Sequence, residues 1–165
     1  MAEDEARFGL INWHKRCYCP QGQRPPCIVQ REYKWTWFYA AVEPMTGESF
    51  CLYLPRLDGD CYEIFLQALS ESYPDDLILL LRDNAPAHIK KDIAQPDNII
   101  CIPFLSYSPE LNPVERWFQE FRKALSNKVF TTIDLMHDAI TETLNLFTHD
   151  KERLELLTNL SLIHI

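Results

Sequence analysis

No apolar run in this sequence approaches the ~18 residues that span a bilayer, and no charged-then-apolar leader opens it. The expectation is a cytosolic protein without a membrane span. Internal repeats and low-complexity tracts are missing too. With 47% apolar and 12% aromatic residues, the chain is excluded from the disordered class. Nothing marks it for secretion, so its six cysteines are expected to be reduced thiols rather than three disulfides. Cys17, Cys19 and Cys27 are followed by no second half with CxxC or HxxxH spacing, so they do not spell a zinc site.

Positive charge is also scarce: 16 Lys and Arg stand against 24 Asp and Glu, a net charge of −8. That balance excludes a uniformly basic nucleic-acid-binding surface. The cations are nevertheless clustered. Segment 12–35 holds Lys15, Arg16, Arg24, Arg31 and Lys34 against Glu32 alone, with Trp13, Tyr18, Tyr33 and Trp35 among them. Cations mixed with aromatics suit contact with nucleic acid. An ordinary solvated loop and strand would read the same way.

The length of 165 residues fits one domain. The stretch "AEDEARFGLI" alternates, which puts Asp4, Ala6, Phe8 and Leu10 on one face of a strand and Glu3 and Glu5 on the other. An irregular segment with Pro20, Gly22, Pro25 and Pro26 follows. "YKWTWFYAAVEP", the turn "MTG" and "ESFCLYLP" then read as two more strands of an antiparallel meander. The period changes at 59–72, where Tyr62, Phe65, Leu66 and Leu69 recur at helical spacing. "DLILLLRD" is a continuous apolar run, as expected of a central strand covered on both faces. A short helix is predicted over 86–93 and a buried strand at "NIICIPF". Helices follow from Asn112, around Ile133–Phe147, and over 151–160. Strands followed by strand–helix units predict an α/β fold, a mixed sheet with flanking helices. Sites on such sheets gather at the carboxyl ends of parallel strands. Asp83 ends the leucine run.

Three acidic positions have a joint chemical logic. Asp83 could simply make the turn "DNAP". Glu115 could close a capping box behind Asn112, with Pro113 at the first helical position. Its spacing puts it on the margin of the helix's apolar face, beside Phe118. The acidic "EDE" could be a solvated start. Together, a strand-borne Asp4, a strand-end Asp83 and a helix-borne Glu115 form an oxygen donor set suited to magnesium or manganese. Two such ions ~3.5–4 Å apart can activate a water and stabilise the leaving oxygen of a phosphodiester.

"AEDEARFGL", "LLLRDNAPAH" and "PFLSYSPELNPVERWF" resemble the catalytic domain of DDE transposases, in particular the mariner-related bacterial insertion-sequence group. The resemblance runs from Asp4 to about Phe147, and 31 residues separate Asp83 from Glu115. It implies a ribonuclease H-like (retroviral-integrase-type) fold over residues 1–148, with 149–165 as a helical tail of the same domain. It implies Asp4, Asp83 and Glu115 as catalytic metal ligands for Mg²⁺ or Mn²⁺, with two ions expected. Asn84, His88 and Asn112 would support those ligands, Asn112 and Pro113 by aligning the helix of Glu115. His88 could equally be a plain hydrogen-bonded histidine.

The implied activity is metal-dependent DNA strand cleavage and strand transfer. The implied partners are double-stranded DNA, at transposon ends and target, and a second copy or a partner transposase subunit. The implied location is the cytoplasm, on the nucleoid when DNA is bound. Two departures keep alternatives open. Helix-turn-helix modules usual in the family are not in this sequence, and it starts three residues before Asp4, which predicts a clipped, loosely held first strand. An inactive remnant that keeps the fold is one alternative, and another ribonuclease H-fold nuclease is a second.

Overall fold

The computed structural model describes residues 1–23, 25–88, 93–105 and 111–159. The elements follow the order β1 (Ala2–Gly9), β2 (Trp35–Val42), β3 (Ser49–Leu54), α1 (Gly59–Ser72), β4 (Ile78–Arg82), β5 (Ile99–Pro103), α2 (Pro113–Leu125), α3 (Ile133–Thr148) and α4 (Lys151–Thr158). A 3-10 turn, Pro86–His88, stands between β4 and β5. The predicted helix at 86–93 is therefore shorter over the described residues, and positions 89–92 lie outside them.

The five strands form one mixed sheet in the order β3-β2-β1-β4-β5. β1–β3 are the expected antiparallel meander, and β4 and β5 add in parallel. Alternation along β1 sends Ala2, Ala6 and Phe8 to one face. There they meet Trp117, Phe118 and Phe121 of α2, Met136, Ile140 and Phe147 of α3, and Leu154 of α4. Phe38 is the centre of this layer, with ring centroids 5.1 Å from Tyr53, 5.3 Å from Phe121 and 6.1 Å from Phe8. On the other face α1 buries Cys61, Tyr62, Phe65, Leu66 and Leu69 against Tyr39, Ala41, Leu80 and Ile99. Asp58 starts that helix by accepting from the Cys61 N–H at 2.9 Å.

Two expectations are corrected. The leucine run is not covered on both faces. Ile78 and Leu80 are buried, but Leu79 is 48% exposed, as are Ile100 (45%) and Ile102 (38%) on β5. The reason is position: α2, α3 and α4 stand over β1–β3, while β4 and β5 form the far end of the sheet. The first strand is not a loose edge either. β1 is the central strand, paired with β2 along its whole length, Asp4 lying opposite Ala40. The Leu81 N–H donates to the Met1 carbonyl at 2.9 Å, which fixes the β1–β4 register.

Candidate metal centre and DNA-processing site

That register places the first two carboxylates. Ala2 pairs with Leu81, so two residues further along both parallel strands Asp4 comes opposite Asp83. Glu115 arrives from above, in the first turn of α2. Asn112 sets the start of this helix twice over. Its Oδ1 accepts from the Val114 N–H at 3.1 Å, and its Nδ2 donates to the Glu3 carbonyl at 2.9 Å. Pro113 follows at the first helical position, where its missing N–H costs nothing. The α2 helix is thereby tied to the strand that carries Asp4. The Glu115 carboxylate accepts from Arg122 Nη1 at 3.2 Å, two turns down the same helix.

Among the described residues the donor atoms that lie within 4.8 Å of one another are those of Glu3, Glu5 and His88, while Asp4 feels Glu115 and Asp83 through their charge. Burial, then the negative charge of Glu115, and further that of Glu5 and Asp83, push the Asp4 carboxyl up to about 7. A hydrogen bond from the Glu5 N–H to Asp4 Oδ1, 2.9 Å, partly opposes this. Carboxylates from three elements thus act together on Asp4.

Asp83 has two roles at once. Its Oδ1 accepts from the Ala85 N–H at 2.8 Å, the turn interaction its sequence suggested, and lies 3.0 Å from His88 Nδ1. His88 is buried and reaches the other way as well, with Nε2 2.8 Å from Glu5 Oε1 and 3.6 Å from Glu3 Oε1. Its ring packs on Tyr62, centroids 4.2 Å apart. Burial works to lower the His88 pKa. The Glu5 hydrogen bond and the charges of Glu5 and Asp83 outweigh it, and the net direction is up. His88 is therefore a buried, hydrogen-bonded histidine that lies between two carboxylates.

The remaining sequence candidates are more scattered. Asn84 is exposed in the turn after β4. Lys15, Arg16, Arg31 and Lys34 are all exposed on the β1–β2 connection, and Arg24 lies outside the described residues. In the same connection Cys27 Sγ lies 3.0 Å from His14 Nδ1.

Sequence reasoning missed Glu3, Glu5 and Arg122. The reading of Glu3 and Glu5 as a solvated start is wrong: Glu3 is fully buried, and both its carboxylate oxygens lack a hydrogen-bond partner among the described residues. Burial, then the charges of Glu5, Asp4 and Asp83, raise its pKa well above the ordinary value, against the pull of Arg82. Strand parity did put Glu3 and Glu5 on one face. What parity could not show is that the Pro86–His88 turn and α1 cover that face.

Residues 2–136 match the family described as DDE superfamily endonuclease. The chain belongs to that family. A relative in Sinorhizobium fredii (strain NBRC 101917 / NGR234), the uncharacterized protein y4pE/y4sA, is 34% identical over 102 residues, covering 61% of this chain and 76% of the relative. Among solved structures, the Mos1 transposase paired-end complex with left transposon end superposes with a TM-score of 0.71 at 21% identity, over 96% of this DDE endonuclease chain and 50% of that chain. The Mos1 strand transfer complex gives 0.72 at 20% identity, over 96% and 50%. The Mos1 mariner paired end complex with Mn gives 0.71 at 21%, over 96% and 51%. These likenesses establish the ribonuclease H-like fold. The DDE endonuclease chain spans about half the length of the Mos1 chains it matches. Among its described residues no helix is long and apolar enough to cross a membrane.

Proposed function

We propose that this chain is the catalytic domain of a DNA transposase, with Asp4, Asp83 and Glu115 as the ligands of two divalent cations, Mg²⁺ or Mn²⁺. The observation that carries this is the parallel β1–β4 register that sets Asp4 opposite Asp83, with Asn112 tying the helix of Glu115 to the strand of Asp4. Such a concentration of oxygen donors, with no thiolate or imidazole among the three, fits a hard cation. When bound, the cations supply an activated water and stabilise charge on the leaving oxygen of a phosphodiester.

The chain's own residues do the positioning. Asp4, fixed between β2 and β4, and Asp83, at the carboxyl end of β4, present oxygens from neighbouring strands. Asn112 holds the start of α2 against the strand of Asp4, and Glu115, one turn in, reaches the cations once it leaves Arg122. His88 holds one oxygen of Asp83, and Glu5 orients His88 through its other ring nitrogen.

In this reading residues 1–148 are the catalytic domain and 149–165 its tail. The activity is DNA strand cleavage followed by strand transfer. The exposed cations Lys15, Arg16, Arg31 and Lys34 approach DNA, and a second copy or a partner transposase subunit completes the assembly. The working location is the cytoplasm, at the nucleoid. The remnant alternative loses one of its motives, because β1 is fully paired. Incubation with transposon-end DNA and Mn²⁺ tests the reading: the wild type should nick the DNA and Asp83→Asn should not. Equal cleavage by both would refute the assignment.

A further inference from the structure

Where β1 ends, the chain leaves the sheet and returns at the start of β2, and a groove of about 730 Å³ opens between the two. Its walls include Arg7, Trp13, Tyr33, Lys34, Trp35 and Arg122. Three of these are aromatic and open to solvent: Trp13 is 42% exposed, Tyr33 75% and Trp35 49%. The other three are cations. Arg7 lies over the Trp35 ring at 5.6 Å, and Arg122 over Trp13 at 5.7 Å.

The walls are fixed. The Leu10 N–H donates to the Lys34 carbonyl at 3.0 Å, and the Asn127 N–H to the Trp13 carbonyl at 2.8 Å. Gly9 permits the close approach, since a Cβ there would meet the Lys34 carbonyl oxygen at 2.9 Å. Among the described lining residues Glu32 is the one acid, and it is paired with Lys34 at 2.6 Å.

We propose that this groove takes one unpaired nucleotide of a DNA strand, its base stacked on Trp13, Tyr33 or Trp35 and its phosphate met by Arg7 and Arg122. Exposed aromatic faces beside cations are the elements of single-strand binding. Within a duplex both faces of a base are already stacked, so only an unstacked base can use these rings. Arg122 joins the groove to the cleavage site, because the same guanidinium lies on Trp13 and on Glu115. The proposal rests on the transposase reading for the identity of the strand.

The test is fluorescence anisotropy of an oligothymidylate about 8 nucleotides long, without divalent metal, so that no cleavage is needed. Wild type is expected to bind it about 5-fold to about 100-fold more tightly than a strand of the same length made abasic at its centre. Trp13→Leu and Tyr33→Leu should lose that difference. Tyr33 is so exposed that its variant should unfold at the wild-type temperature. Equal affinity for the abasic strand, or folded Trp13→Leu and Tyr33→Leu variants that still discriminate, would overturn the proposal. Stacking in a wild type that never cleaves would leave the groove standing and remove the catalytic reading.

Discussion

Asn112 donates to the backbone carbonyl of Glu3 at 2.9 Å, from a position that is 6% exposed. This one side chain joins the helix of Glu115 to the strand of Asp4 while capping the helix. Asn112→Ala removes the cap, about 0.5–2 kcal/mol, and leaves a buried carbonyl without its donor, about 1–3 kcal/mol. Urea unfolding should therefore show a loss of about 1.5–5 kcal/mol. Asn112→Ser keeps a capping oxygen for the Val114 N–H and removes the donor to Glu3 without adding a charge. It should unfold closer to wild type yet cleave poorly, which separates alignment from stability.

The bridge from Glu5 through His88 to Asp83 predicts an effect on metal binding. Partners of this kind typically change metal affinity or activity about 10- to 100-fold. His88→Ala and Glu5→Ala should each weaken Mn²⁺ binding by that order in a calorimetric titration. Replacing Asp83 itself should cost more. Unchanged affinity in the His88 and Glu5 variants would reduce the bridge to a packing feature.

The buried acids predict an inverted pH dependence of stability for the metal-free chain. Asp4 is raised from 3.8 to about 7, Glu3 is raised well above 4.5, and His88 is raised above 6.5. Each group binds its proton more tightly folded than unfolded. Its contribution is fully present below the unfolded value and is lost as pH rises through the folded one. Thermal unfolding should accordingly drop as pH rises from 3.8 through about 7, the window set by Asp4. Glu3→Gln removes one buried charge and should raise Tm at neutral pH, by about 2–4 °C for each 1 kcal/mol gained. A bound cation takes the place of the proton, so Mn²⁺ should raise Tm more above that window than below it. Metal-free stability that climbs across the window would contradict the assigned burial.

Phe38 carries the mechanical load of the layer beneath α2. It is fully buried and meets Phe8, Tyr53, Phe118 and Phe121. Phe38→Ala should cost about 3–5 kcal/mol in chemical denaturation, the usual loss for a buried ring. Leu79→Ala, on the uncovered face of β4, should cost much less. Similar losses at both positions would mean that the β4 face is covered in solution.

Much of this architecture was legible in the sequence because its signals are local. The period of Tyr62, Phe65, Leu66 and Leu69 marked α1, and Asn112-Pro113 marked the start of α2. Asp83 was visible as the end of an apolar run. What escaped was set by distant contacts. Glu3 and Glu5 look solvated until the turn at His88 folds over them. Leu79 looks buried until the sheet order leaves β4 beyond α2–α4. Arg122 shows no sign in the sequence of lying on Glu115 and Trp13 together. The pairing of Asp4 with Asp83 depends on a parallel register that no local pattern encodes.

The most direct test is an anomalous difference map, at the manganese edge, from crystals of this chain soaked in Mn²⁺. The account predicts density between Asp4 and Asp83, with Glu115 turned toward it and released from Arg122. No density there in a well-ordered crystal, or density only among Glu3, Glu5 and His88, would contradict it.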